Sequence, residues 1–534
     1  MLFFTPTKKG VQRLKTFIQK FSHVINGFLT GFDRIIFKGS VLAVMHENGA
    51  ESFCALNGIL NKDFKGWMLS RTADIVAGAQ KLCMTQCGEG ITHVNSSRLR
   101  KESLAHERQR VKGITSGLIG VWSAVESCVT FKASYDKVAG HPRLIRHWGK
   151  CKHLYFYYDH ERYGFMSIRL QTWFPYHIQI AMNGREWLRR SLETAGVEHT
   201  VSGNKFFYVQ DFNQAQAVLD TQRNTHWQEI LESFLPEVFP SMRHIFGDNL
   251  SYYWTHWQSE MATDVIFKSP CHIKPFIDTL MRYAFMTGNI TNIMRYMDRP
   301  LTAAGKPRAN CADDVKGRCI SFNDGLCLRC WLNGNSVKTY NERNVIRVET
   351  TINNPSMFKA HRQKKGDSPD APKKLRALRK SVADVPLTSA KAAEVNERFM
   401  HQLAQCEDQT PASETFAKVC QAKQKSGKRV RALDLTGKDH ALLKAIANPK
   451  FSISGITNKA LRETLADAPG YAGKSEKQIS AKITRHLRLL RDHGLIKKMP
   501  KQNRYYLTEK GRVLTITLNT ALAASTQQLM KIAA

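Results

Sequence analysis

The pattern that most restricts how this chain can fold lies between Asp439 and Leu514. After Ser475, the residues Ile479, Ile483, Leu487 and Leu490 recur at helical spacing, and Gly494 supplies a stop. The opposite face of the same helix carries Lys477, Lys482, Arg485, Arg488 and Arg491. Such a helix buries one side only, and its cationic side must meet water or a polyanion. Two shorter helical segments precede it, one opening at Asp439 and one after Thr457, whose hydroxyl is placed to cap Asn458-Lys-Ala-Leu-Arg-Glu-Thr-Leu. After it, Leu495 to Thr508 alternates around a polar turn, which predicts a two-stranded hairpin, and Thr508-Glu-Lys-Gly-Arg opens a closing helix.

The series of helix, His493-Gly-Leu-Ile, basic hairpin and Arg504-Tyr-Tyr-Leu-Thr-Glu-Lys-Gly-Arg resembles the winged helix-turn-helix of MarR-like and ArsR-like bacterial regulators. The resemblance implies duplex DNA as partner. It implies that Ser480, Thr484, Arg485 and Arg488 face the major groove, with Lys477 and Lys482 on the same cationic side. It also implies that Lys497, Lys498, Lys501 and Arg504 reach phosphates or the minor groove.

Composition points the same way. The 534 residues hold 79 Lys plus Arg against 45 Asp plus Glu, a formal charge of +34, and an excess of that size repels itself unless a polyanion absorbs it. A membrane partner is not expected, because no apolar run approaches the length of a spanning helix and the opening Met1-Leu-Phe-Phe has its charges after its apolar residues. The twelve cysteines are scattered as single residues, many in apolar segments, which fits reduced thiols in a cytoplasmic protein. Cys311, Cys319, Cys327 and Cys330 fall close together, but Cys327 and Cys330 read as one strand, where positions three apart point to opposite faces, so a zinc knuckle is not expected there.

A chain of this length predicts more than one domain. The expected class is α+β: an antiparallel-sheet core with a helical insert, followed by the C-terminal winged helix. Residues 1–150 read as mostly helical, with an amphipathic helix over 11–29 and a strand near 32–38. Residues 151–355 read as an α+β core with a helical insert at about 212–300. Within it, His153 to Trp173 predicts a hairpin turning at Gly164, Tyr176 to Met182 a strand, Arg185 to Gly196 a helix and Lys205 to Val209 a strand. Four further strands between Arg318 and Ile352 predict a meander. Residues 356–430 read as a mobile basic linker and a helix, and 431–534 as the DNA-binding domain.

The larger region also resembles long bacterial proteins labelled hypothetical or MarR-like, through Gly31-Phe-Asp-Arg, Phe156-Tyr-Tyr-Asp, Gly184-Arg-Glu-Trp-Leu and Val348-Glu-Thr-Thr-Ile-Asn-Asn-Pro. That resemblance implies no activity. Phosphodiester cleavage needs carboxylates converging on Mg or Mn, and Asp33, Asp159 and Glu349 stand at strand ends, with Asp264 one helical turn after Glu260. Lys338-Thr-Tyr-Asn-Glu-Arg-Asn-Val-Ile-Arg-Val-Glu resembles, over a short stretch, the tyrosine turn and R-x-E strand of rolling-circle replication initiators. By that likeness Tyr340 is a nucleophile and Glu349 a metal ligand, although Asn341 replaces the usual aspartate and no His-x-His pair exists. Each acid is equally an ion-pair partner for arginines such as Arg34, Arg162 and Arg347.

Tyr155, Tyr157, Arg169 and Trp173 offer a platform for stacking single-stranded DNA or RNA, or simply core packing. The expectation is a mobile-element DNA-processing protein, either a replication initiator or a transposase-like nuclease. A MarR-like transcription regulator acting as a homodimer and an RNA-binding ribonucleoprotein component are the alternatives. No organic cofactor is expected.

Overall fold

The computed structural model describes residues 17–523 apart from 96–98, 248–251, 274–292, 295–296, 298–314, 323–324, 365, 369, 405–411, 426, 449–450, 452–454 and 500–501. It is a mixed α/β protein of two compact units. One is Gly27–Ile266 with Thr351–Ala393; the other is Met1–Asn26, Phe267–Thr350 and Glu394–Ala534.

The first unit is built on strands β1 (Ile25–Ser40), β2 (Thr92–His93), β3 (Gly117–Asp136), β4 (His141–His160), β5 (Gly164–Gln171), β6 (Ile178–Asn183) and β9 (Tyr253–Phe267), in the order β9-β1-β6-β5-β4-β3-β2. Strand β1 pairs antiparallel with β6, and β3 to β6 form an antiparallel meander, whereas β2 runs parallel to β3. Strands β7 (His199–Ser202) and β8 (Lys205–Val209) make a separate hairpin. The β3–β4 hairpin turns where Asp136 Oδ1 accepts the amides of Val138 at 2.9 Å and Ala139 at 3.2 Å, a side-chain turn that needs no tertiary help. Helices α1 (Glu47–Leu56), α2 (Phe64–Cys87) and α3 (Lys101–Lys112) follow β1 and pack on β3 and β4. Helix α4 (Gly184–Thr194) is started by Asn183, whose side chain accepts the amides of Arg185 and Glu186. It packs with α5 (Phe212–Arg223), and the short helices α6 (Trp227–Ser233), α7 (Leu235–Val238) and α8 (Met242–Phe246) complete this layer. Gly31 lies so close to α5 that a Cβ there would sit 2.5 Å from Leu219, which accounts for glycine at that position of β1.

Three local expectations are corrected. The helix over 11–29 gives way to β1 from Ile25, with residues 17–20 helical and 11–16 outside the described residues. The strand expected near 32–38 lies within β1, where Ile35 and Phe37 alternate with half-buried residues and pair with β6, and it extends back to Ile25 over apolar residues whose spacing also satisfies a helix. The region before residue 150 is not mostly helical, because β3 and half of β4 lie within it. The helical insert expected at about 212–300 is interrupted, residues 270–273 and 293–294 being helical again: Tyr253–Phe267 is a strand in which Trp254 and His256 are buried between more exposed neighbours. That period of two was hidden by the aromatic density. Met281 to Phe285 lies outside the described residues.

The basic segment after Pro355 is also structured, as a hairpin of β14 (Lys359–Arg362) and β15 (Lys374–Ala377) followed by helix α9 (Val385–Ala404). Its charge is held locally: buried Asp384 takes Arg379 Nη2 at 2.7 Å and Arg362 Nε at 3.5 Å.

In the second unit, β10 (Val315–Phe322), β11 (Gly325–Leu332), β12 (Asn335–Glu342) and β13 (Val345–Ile352) form a meander joined by short turns, as the alternation predicts. Cys327 and Cys330 share β11, and Cys311 lies outside the described residues. The C-terminal part has helices α10 (Ala412–Cys420), α11 (His440–Ile446), α12 (Asn458–Leu465), α13 (Glu476–Asp492) and α14 (Glu509–Ala523). It adds the hairpin β16 (Lys423–Lys425) and β17 (Lys428–Val430), and a three-stranded sheet of β18 (Ile456–Thr457), β19 (Ile496–Lys498) and β20 (Arg504–Leu507) in the order β18-β20-β19. One core, from Val419 to Leu518, joins these elements through Leu443, Leu461, Ile483, Leu487 and Leu514. No helix among the described residues is long and apolar enough to cross a membrane.

Candidate nucleic-acid interface

Helix α13 begins in a capping box: Ser475 Oγ accepts the Gln478 amide at 3.4 Å, and the Gln478 side chain accepts the Ser475 amide at 3.0 Å. Ile479, Ile483, Leu487 and Leu490 enter the core, so the alternate face is fixed toward solvent. Gly494, at φ +74°, ends the helix in the left-handed region. Thr508 Oγ1, just after β20, then donates to Gly494 O at 2.6 Å and ties the end of that strand to the helix stop.

The cations on that face divide into held and open groups. Lys482 Nζ donates to Gly470 O at 2.7 Å and lies 4.4 Å over the Tyr471 ring; burial first, then Lys474 and Arg485, lowers its pKa below the usual lysine value. Tyr471 in turn shares a 2.7 Å hydrogen bond with His486 Nδ1. Arg485, Arg491 and Lys477 are exposed, as is Arg488, whose Nε reaches Asp492 at 3.9 Å. Ser480 donates to Asn458 Oδ1 at 3.1 Å, and Thr484 Oγ1 accepts from Asn458 Nδ2 at 3.0 Å, so both hydroxyls tie α13 to the start of α12. Lys497 and Lys498 project from β19 opposite Tyr506 and Tyr505, Arg504 is half-buried on β20, and Lys501 lies outside the described residues.

A groove of about 810 Å³ runs between α13 and the β16–β17 hairpin. Lys482, Arg485, Arg488 and Arg491 face it from the helix, and Lys425, Lys428, Arg429 and Arg431 from the hairpin and the residue after it, against one carboxylate, Asp492. Asp492 is itself taken by Lys425 at 3.0 Å, and Lys425 with the nearby arginines holds its carboxyl below the usual range. Arg431 is locked in place by a two-point pair with buried Asp439, at 2.6 and 2.7 Å. Burial pushes the Asp439 carboxyl up, but that pair and the Asp434 amide outweigh it and hold its pKa low. The hairpin was passed over in the sequence because Gln421 to Arg431 reads as a boundary; its one signal was five cations in nine residues from Lys423 to Arg431.

The acidic candidates are dispersed. Asp159, buried at the end of β4, accepts from Arg190 and, at 2.8 Å, from Gln109. Asp264 is fully buried on β9 and paired with Arg185 at 3.1 Å. Among the described residues neither belongs to a group of three converging ligands. Asp33 on β1 and Glu260 on β9 do converge, with carboxylate oxygens within 4.8 Å of one another, and Arg34 pairs with Glu260 at 3.3 Å. In the second unit, Tyr340 and Glu349 are brought to the same lysine: Lys338 Nζ is 2.9 Å from Glu349 and 4.9 Å from the Tyr340 ring centre. Tyr157 is buried edge-on to Trp122, Lys101 covers the Tyr155 ring at 4.6 Å, and Trp173 Nε1 donates to Phe131 O. These aromatics pack within their own unit.

No protein-family model matches this chain, and no curated protein matches it. Among solved structures it is similar, at 11% identity, to the class II 3-hydroxy-3-methylglutaryl-CoA reductase from Streptococcus pneumoniae bound to NADPH in open conformations. The match covers 91% of this chain and 83% of that one, with a TM-score of 0.19. Another 3-hydroxy-3-methylglutaryl-CoA reductase structure from that organism is similar at 9% identity over 91% and 82% of the two chains, with a TM-score of 0.21. TM-scores this low carry nothing about fold or activity to this chain.

Proposed function

We propose that this chain binds duplex DNA, and that residues 431–534 do so as a winged helix-turn-helix with α13 in the major groove and the β19–β20 hairpin as wing. The observation that carries the proposal is the groove, in which eight Lys and Arg side chains meet a single, already paired carboxylate. Arg485 and Arg488 read base edges or phosphates, Lys497 and Lys498 hold the flanking backbone, and Ser480 and Thr484 position the helix through Asn458. The β16–β17 hairpin extends the phosphate-binding surface beyond the winged helix.

The test is fluorescence anisotropy with a labelled duplex drawn from the flanks of the chain's own gene. Replacing both Arg485 and Arg488 by Glu is expected to weaken binding by roughly ten- to a hundredfold or more, on the scale of 1–3 kcal/mol per lost base or phosphate contact. Unchanged affinity overturns the reading. Tight binding to structured RNA and none to duplex would instead favour a ribonucleoprotein role.

A second reading is that the protein also cuts DNA, as a mobile-element processing enzyme. It is favoured by the approach of Asp33 and Glu260, two carboxylates that can share a Mg or Mn ion. End-labelled duplex and single strands incubated with manganese are expected to be nicked by the native protein and left intact by Asp33→Ala. An intact probe under all conditions would leave a DNA-binding regulator.

A further inference from the structure

The first unit contains a cluster that neither DNA binding nor the carboxylates use. Cys128 on β3 and Cys151 on β4 face each other diagonally across the long hairpin, where the register pairs Cys128 with Gly149 and Cys151 with Glu126. Their Sγ atoms are 3.1 Å apart. Two residues on from Cys151, and so on the same face of β4, His153 places Nδ1 3.9 Å from Cys151 Sγ and 3.3 Å from the Cys151 carbonyl oxygen, a contact the ring gives up when Nδ1 takes a metal. One donor atom from each of the three lies within 4.8 Å of the others, and all three residues are buried.

A tetrahedral zinc ion with bonds of roughly 2.3 Å to sulfur and 2.0–2.1 Å to nitrogen separates its ligand atoms by roughly 3.5–3.8 Å. The sulfur pair and the Cys151–His153 pair bracket that range and the third pair lies within 4.8 Å, so an ion enters with shifts of about an ångström or less. The set is soft, two thiols and an imidazole, which selects zinc over the hard cations that carboxylates hold.

Two of the three residues also reach an open space. Cys128 and His153 line a cavity of about 400 Å³ whose other walls include Lys38, Arg146, Arg169 and His177. Three protein ligands with an accessible fourth position distinguish zinc sites that bind an exogenous ligand from purely structural ones. Two thiolates neutralise the ion and Arg169 is paired with Glu126 at 2.9 Å, but Lys38 and Arg146 leave the cavity positive, so the exogenous ligand is an anion. We propose that Cys128, Cys151 and His153 bind one zinc ion whose fourth position opens into this cavity and takes a small anion or hydroxide.

The competing chemistry is a cross-strand disulfide, and the test separates the two. Full-length protein, reduced and stripped of metal, is titrated with Co²⁺. The expected result is one equivalent bound, with a thiolate-to-cobalt charge-transfer band that Zn²⁺ abolishes. Alkylation with mass mapping is expected to find Cys128 and Cys151 protected by the metal, while Cys327 is alkylated at the same rate with and without it.

Cys128→Ser and His153→Gln are each expected to lower cobalt affinity by at least tenfold, and Cys327→Ser to leave it unchanged. Should the buried variants fail to fold, protection in the native protein decides by itself. The proposal is overturned by the absence of a charge-transfer band at stoichiometric metal, or by protection at cysteines other than these two. It is also overturned by a Cys128–Cys151 disulfide that re-forms in air in the presence of excess zinc.

Discussion

His256 shows how a single side chain sets a dependence on pH. It is 2% exposed on β9, and neither ring nitrogen has a hydrogen-bond partner. Burial, and then the charge of Lys380, lower its pKa from 6.5 to about 4. The unfolded chain therefore takes up a proton near pH 6.5 that the native protein refuses until about pH 4. The native state thus has its full share of stability above pH 6.5 and loses it as the pH falls through that window. His177, held at about 3 by burial and Lys38, adds to the same slope. Replacing His256 by Leu is expected to flatten the fall of Tm between pH 6.5 and 4. At pH 7 it is expected to be neutral or stabilising by up to about 1 kcal/mol, since two unsatisfied buried nitrogens are removed. Thermal melts across that range check it, and an acid slope identical to the native one would count against it. At the same scale, candidate acids chosen for catalysis divide by what surrounds them. The fully buried Asp264 faces Arg185, and burying a charge in a structure demands such a partner, so an isolated acid in the sequence says little about chemistry.

At the scale of elements, α13 was legible in full because three local signals agree: the Ser475 cap, the apolar stripe and the Gly494 stop. Replacing Ser475 by Ala is expected to cost about 1 kcal/mol through loss of the capping box. Urea denaturation read by the signal of the C-terminal region measures it, and no change would mean that the cap is dispensable in the packed protein. The hairpin of β4 and β5 was legible too, through its aromatic alternation around a polar turn containing Gly164, a glycine that the structure holds at positive φ. Strand β9 was not, and of β1 only the stretch near residues 32–38 was. Residues 25–29 and β9 carry apolar residues that satisfy a helical period as well as an alternating one, and only their place beside other strands of the sheet selects the strand. Ser480 and Thr484 show the same limit within the candidate interface: their place on the solvent side of α13 was readable, but their bonds to Asn458 come from a helix 22 and 26 residues earlier.

For the whole molecule, the charge of +34 is the quantity that acts. If about five of the groove cations meet phosphates, log affinity for duplex is expected to fall against log salt with a slope of roughly −4.5, at about 0.9 per phosphate. Titrations between low and physiological salt measure it. A slope near zero would mean that the excess charge only keeps the protein dispersed and that the groove does not meet a polyanion. The Arg485→Glu, Arg488→Glu protein is expected to show a slope shallower by about two.

Composition and local periodicity determined by themselves that the chain is basic, mixed in secondary structure, and ends in an amphipathic cationic helix followed by a hairpin. These properties depend on neighbours within a turn or two, and such neighbours are fixed by the covalent order. Tertiary structure decided which acids are neutralised by arginines, that Asp33 approaches Glu260, and that Lys338 stands between Tyr340 and Glu349. It also set the β16–β17 cations opposite α13 and brought Cys128 to Cys151 and His153. Each of these depends on which strand or helix lies beside which, and that is settled by burial and backbone pairing summed over many residues.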